Sequence, residues 1–133
     1  MKQSEINQSI RALVAQIAKQ EGLKVAWPNM AFDEINSPYL QMHILPAATE
    51  NMGLALDMPI FKGVIQINLV GKVGSGDEHL SLIADNIKTQ LENGLTLNKT
   101  LYLNSEPNQL PPLVGDTHYT IPIRTSYRCD SVR

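Results

Sequence analysis

A chain of 133 residues, 43% apolar and 18% charged, has the balance of one globular domain with its own core and lies outside the disordered regime. Its formal charge of −2 supplies no basic excess, which argues against sequence-specific nucleic-acid binding but leaves open contact with DNA passing through a channel. One cysteine, Cys129, permits neither an intrachain disulfide nor a cysteine metal cluster, and no stretch approaches the roughly 20 apolar residues of a membrane span.

In chain order, Met1 to Glu5 lack the apolar run of a secretion signal, so the protein is expected to stay where it is made. Ile6, Ile10, Leu13, Val14 and Ile17 recur at spacings of three and four and predict an amphipathic helix over about 4–20. Ser4 is the expected N-cap, Glu5 favours the helix dipole, and Gly22 is placed to end the helix. Pro28 pushes Trp27 into an extended conformation, and a polar turn over 33–38 follows. Leu40, Met42 and Ile44 alternate with Tyr39, Gln41 and His43, predicting a half-buried strand from Tyr39 to Pro46.

Residues 47–59 read as a long connection. Ile60 to Lys72 reads as a second strand, with Phe61, Ile65, Ile67 and Leu69 on one face and Lys62, Gln66 and Asn68 on the other. No helical pattern separates these strands, which suggests a long hairpin. Gly71 to Gly76 is a turn, after which Ser75 or Asp77 caps a second helix. Its apolar face is Leu80, Ile83, Ala84, Ile87 and Leu91, its solvated face carries Asp85, Asn86, Lys88 and Glu92, and Gly94 is expected to end it.

Thr100 to Asn104 is a short strand, and Ser105 to Asp116 a loop with three prolines. Thr117 to Arg128 is the last strand, with Tyr119, Ile121, Ile123, Thr125 and Tyr127 on one face. Pro122 has no donor, so this strand is expected at an edge or with a bulge. The expected fold is a single α+β domain over residues 1–133, in the order αββαββ. Two helices would pack on one face of a mainly antiparallel sheet of about four strands.

Residues able to do chemistry have plainer explanations. His43, His79 and His118 show no H-x-x-x-H spacing, and a zinc site needs about four converging ligands. Gly71-Lys72-Val73-Gly74-Ser75-Gly76 matches neither phosphate-binding glycine pattern and reads as a strand-to-helix turn. Ser75 lacks a G-x-S-x-G setting, and Cys129 sits beside Asp130, the wrong neighbour for an activated thiolate. The acid pairs Asp33-Glu34 and Asp77-Glu78 read as turn and cap residues. No catalytic residue, cofactor or metal is expected.

Two loops fit less easily. Met52, Leu54, Leu56 and Met58 alternate with Gly53, Ala55 and Asp57 in a connection that should face solvent. Leu110, Leu113 and Val114 stand among the prolines of the other. Such side chains either extend the sheet as hairpin arms or form a contact patch. These seven residues are the candidate subunit or partner interface, and methionine suits an adaptable one. Two alternatives remain. One is a ligand-binding or regulatory domain using Tyr39, Gln41, His43, Gln66, Asn68 and Arg124 on the sheet face away from the helices. The other is an enzyme site assembled from His43, His118 and Asp116, whose spacing implies no contact.

Ala26-Trp27-Pro28-Asn29-Met30-Ala31-Phe32, Pro38-Tyr39-Leu40 and Leu45-Pro46-Ala47 resemble the first half of the tail terminator (tail completion) family of long-tailed bacteriophages. Gly63-Val64-Ile65-Gln66-Ile67, Ile83-Ala84-Asp85 and Ile121-Pro122-Ile123 through Tyr127-Arg128 continue the likeness, which spans about 5–128. The resemblance implies a fold like the lambda minor tail protein U and no catalytic residues. It implies a homo-oligomeric ring, usually a hexamer, that caps the tail tube and offers a docking surface to a head-side connector protein. Its partners would be other copies of itself, the tail tube protein and the connector. Its place would be the host cytoplasm during assembly and then the virion tail. The run from Met52 to Met58 departs from the family pattern, so an interface role there rests on the residues alone.

Overall fold

Helix α1, Gln3–Glu21, forms where the three-and-four spacing places its apolar residues on one stripe. Ile6, Ile10, Val14 and Ile17 on that stripe are completely buried, and Leu13 packs beside them. The N-cap is Lys2, in extended conformation and without a side-chain cap bond, so Ser4 lies inside the first turn and is not the cap expected. The Lys2 carbonyl accepts the amides of Glu5 and Ile6. Gly22 closes the helix in the left-handed region at φ 69°, and the Leu23 amide donates to the Ala18 carbonyl across the cap.

The computed structural model describes residues 2–28, 30, 38–47, 50–52, 58–74, 78–98 and 100–130, except for the side chains of 50–52 and 58–59. After α1 come β1 (Lys24–Ala26), β2 (Tyr39–Pro46), β3 (Glu50–Met52) and β4 (Met58–Lys72). Helix α2 (Glu78–Gln90) precedes β5 (Thr96–Asn98), β6 (Leu101–Leu103), β7 (Asn108–Gln109), β8 (Leu113–Val114) and β9 (His118–Asp130). Helix α2 stops at Gln90, ahead of Gly94, whose φ of 91° serves a later turn in which its amide donates to the Leu103 carbonyl.

The expected sheet of about four strands in the order αββαββ is incorrect. Among the described residues one nine-stranded sheet runs β1-β2-β4-β9-β6-β5, with β3 on β4 and both β7 and β8 on β9. It is mixed, because β1 pairs with β2 in parallel. The added strands are two or three residues long, too short for an alternating pattern to reveal.

Both long connections contribute hairpin arms among the described residues. Strands β2 and β3 lie in succession along β4, from Tyr39 opposite Val70 to Met52 opposite Met58, with a one-residue shift between Pro46 and Glu50. Strands β6, β7 and β8 likewise follow one another along β9, from Leu101 opposite Cys129 to Val114 opposite Tyr119. Prolines 107, 111 and 112 break this second arm into pieces, since none can donate to the ladder. At the first break Ser105 substitutes for the ladder. Its hydroxyl accepts the Ser126 amide at 3.0 Å, and its carbonyl accepts from Thr125 Oγ1 at 3.2 Å.

Strand β9 is internal, not the edge that Pro122 suggested. Pro122 pairs in unbroken register with Asn68, and its carbonyl accepts the Leu110 amide on the other side. In an antiparallel ladder a residue's N–H and C=O point the same way. The missing donor therefore faces the outer arm, where β7 has ended and β8 has not begun.

The register assigns the two sheet faces. Leu40 and Met42 of β2, Ile65, Ile67 and Leu69 of β4, and Ile121, Ile123, Tyr127 and Cys129 of β9 share one core with the buried residues of both helices. On the same face, the Tyr127 ring lies across Gly63, and its hydroxyl accepts from Gln3 Nε2 at 3.3 Å. Glu21 joins the helices, accepting from Asn86 Nδ2 at 3.0 Å and Gln90 Nε2 at 3.1 Å.

Candidate functional site

The residues considered for chemistry do not converge. His43 lies opposite Gln66 and His118 opposite Lys72, six positions apart on β4, roughly 20 Å at strand rise. His118 meets the Thr117 hydroxyl at 2.8 Å and the edge of the Tyr39 ring, while Asp116 is exposed at a hairpin turn. Among the described residues no three of His, Cys, Asp and Glu come together as a metal site. No helix there is long and apolar enough to cross a membrane.

The face away from the helices does gather four of the six residues proposed for ligand binding. Arg124 Nε donates to Gln66 Oε1 at 2.7 Å, Gln66 Nε2 to Asn68 Oδ1 at 2.8 Å, and Asn68 Nδ2 to Gln41 Oε1 at 3.3 Å. The chain of bonds uses each group on its neighbour and so satisfies the buried Asn68 and the half-buried Gln41 and Gln66. It reads as a cross-strand ladder that holds three strands in register. Tyr39 and His43 lie outside this chain of bonds.

The described interface candidates lie on the two hairpins. Met52 and Met58 are register partners across the first, while Leu54 and Leu56 lie outside the described residues. In the second, Leu110 is half-buried and bonded through its amide to Pro122, but Leu113 and Val114 are 62% and 68% exposed. The second turn is tight: the Gly115 amide donates to the His118 carbonyl at 2.8 Å.

The pairing of β4 with β9 fixes where these ends lie. It runs without interruption from Ile60 opposite Asp130 to Lys72 opposite His118, about 40 Å at strand rise. The first hairpin closes past the Ile60 end, and the turn of the second, after Val114 opposite Tyr119, closes past the His118 end. The two hairpins therefore close at opposite ends of this pairing.

Two grooves accompany them. One, about 330 Å³, lies between α1 and β5 and is lined by Ser9, Ala12, Leu13, Leu95, Thr96 and Leu97 among others. The other, about 240 Å³, lies where α1 passes β2 beside His43, Ile44 and Leu45. Sequence reading overlooked the first, although Leu95 and Leu97 alternate with Gly94, Thr96 and Asn98, a period-two signal on a strand too short to stand out.

With this geometry in view, the chain matches the family model described as phage tail terminator protein over residues 5–127. The chain belongs to the phage tail terminator family. That places this terminator among structural proteins of the virion tail and implies contact with other tail components. Ten chains of solved structures match it. One of them is 25% identical, with a TM-score of 0.82, over 100% of the terminator and 99% of its own chain. No curated protein sequence matches.

Proposed function

We propose that this terminator assembles into a homo-oligomeric ring of six subunits, as its family resemblance implies. The ring caps the tail tube, ends tube polymerisation and presents the surface on which a head-side connector docks. Assembly takes place in the host cytoplasm and involves no catalysis. The observation that carries this reading is the pair of hairpins ending about 40 Å apart at opposite ends of the β4–β9 pairing. A ring needs two different complementary patches on each subunit, one meeting the next copy and one met by it. Within the ring, Met52, Leu54, Leu56 and Met58 form one contact segment and Leu110, Leu113 and Val114 the other.

Electron microscopy of tails made without the protein tests the cap. Tubes of uncontrolled length are expected, and tubes of normal length would overturn it. Replacing Leu54 and Leu56 together with Asp tests the first segment. That variant should remain folded by circular dichroism and lose termination; normal termination would remove the segment from the interface.

A further inference from the structure

We infer that the tip of the second hairpin is a knob that enters the α1–β5 groove of a neighbouring copy of this chain. The inference rests on the ring reading and adds the α1–β5 groove, which flanks the same Ile60 end of the β4–β9 pairing as the first hairpin, to the surface that receives the second.

Leu113 and Val114 are adjacent on β8, so their side chains leave opposite faces of the ribbon. Leu113 stands opposite Thr120 and Val114 opposite Tyr119, yet both apolar side chains are more than 60% exposed. An arm exposed and apolar on both faces cannot bury both by folding onto its own sheet. Prolines 111 and 112 precede it and the Gly115–His118 turn closes it, so the tip is stiff and loses little entropy on docking.

The groove is apolar at its floor, where Leu13, Leu95 and Leu97 pack partly buried against the core. It is open at its rim, where Ala12 and Thr96 are exposed. The chain's own knob cannot reach it. Strand β6, which carries β5, lies opposite Tyr127 to Cys129, whereas the knob lies opposite Tyr119 and Thr120. Seven residues of β9, from Thr120 to Tyr127, separate them, roughly 23 Å. The groove and the knob thus belong to different patches facing different directions, as a closed head-to-tail contact requires.

Strand addition is the competing way for two copies to join, and the edges are built against it. Edge strands β1 and β5 are three residues long, Pro46 ends β2, and prolines 107, 111 and 112 interrupt the outer arm. Short, proline-broken edges discourage pairing, which leaves side-chain docking as the contact.

Disulfide trapping tests this. Thr96 and Val114 are exposed, and the native thiol of Cys129 is buried. Tails assembled with the T96C/V114C double variant should give a ladder of covalent multimers on mild oxidation, and either single variant should stay monomeric. Tails of normal length whose double variant stays monomeric would overturn the knob and leave the ring standing. Loss of the ring itself is tested separately, by the length of tails made without the protein. A charge swap covers the case in which the cysteines impair assembly. V114D should reduce termination at least tenfold, and A12K in the same chain should restore it. Normal termination by V114D, or no restoration by A12K, would sink the proposal.

Discussion

Gly63 has no room for a methyl group. A Cβ there would come within 2.6 Å of the Leu45 carbonyl oxygen and 2.7 Å of the Tyr127 hydroxyl. One obstacle is backbone and the other a buried ring, so neither moves freely. Gly63→Ala should cost about 1–3 kcal/mol as overpacking, read as a lower urea midpoint at unchanged slope. Tyr127 itself makes a second prediction. Burial pushes its phenol above the ordinary value of 10.0, and the bond from Gln3 offsets part of that. Above about pH 10 the unfolded chain then releases a proton that the folded chain keeps, so folding stability falls as pH rises. Tyr127→Phe should cost about 1 kcal/mol at neutral pH through the lost hydrogen bond and should show a shallower alkaline decline. Equal pH slopes in the two proteins would refute this. Neither role could be read from sequence. Gly63 looked like one strand residue among many, because its neighbours Leu45 and Tyr127 are distant along the chain.

At the scale of elements, the long periodic segments were legible and the short ones were not. Ile6, Ile10, Val14 and Ile17 predicted α1, and Leu80, Ile83, Ala84 and Ile87 predicted α2, since each stripe recurs over several turns. The alternation through Ile65, Ile67 and Leu69 similarly exposed β4. The arm from Leu101 to Val114 hid behind its prolines. They remove donors without preventing the chain from lying along β9, because Ser105 bonds Ser126 and Thr125 in their place. Ser105→Ala should therefore loosen this arm locally, seen as faster amide exchange at Ser126 with little change in global stability. The knob at its end should behave differently. Leu113 and Val114 are exposed, so replacing both with Asp should shift the thermal midpoint by no more than a few degrees. The same variant should abolish tail termination. A large drop in the midpoint would show that these side chains support the fold instead.

For the whole molecule, the sequence by itself determined that the core is aliphatic, that both helices are amphipathic, and that the ordered motifs from Ala26 to Arg128 resemble the tail terminators. Those features depend on local period and composition, which a chain carries with it. It also marked Leu110, Leu113 and Val114 as apolar residues out of place. Only the tertiary structure decided how many strands the sheet holds and that one pair of them is parallel. Only it could set the ends of two hairpins at opposite ends of one long strand pairing, and place a groove beyond the reach of the chain's own knob. Those outcomes depend on which segments lie beside which. Pairing register is fixed by contacts between residues far apart in sequence, such as Ile60 with Asp130 and Lys72 with His118, and no local pattern encodes that choice.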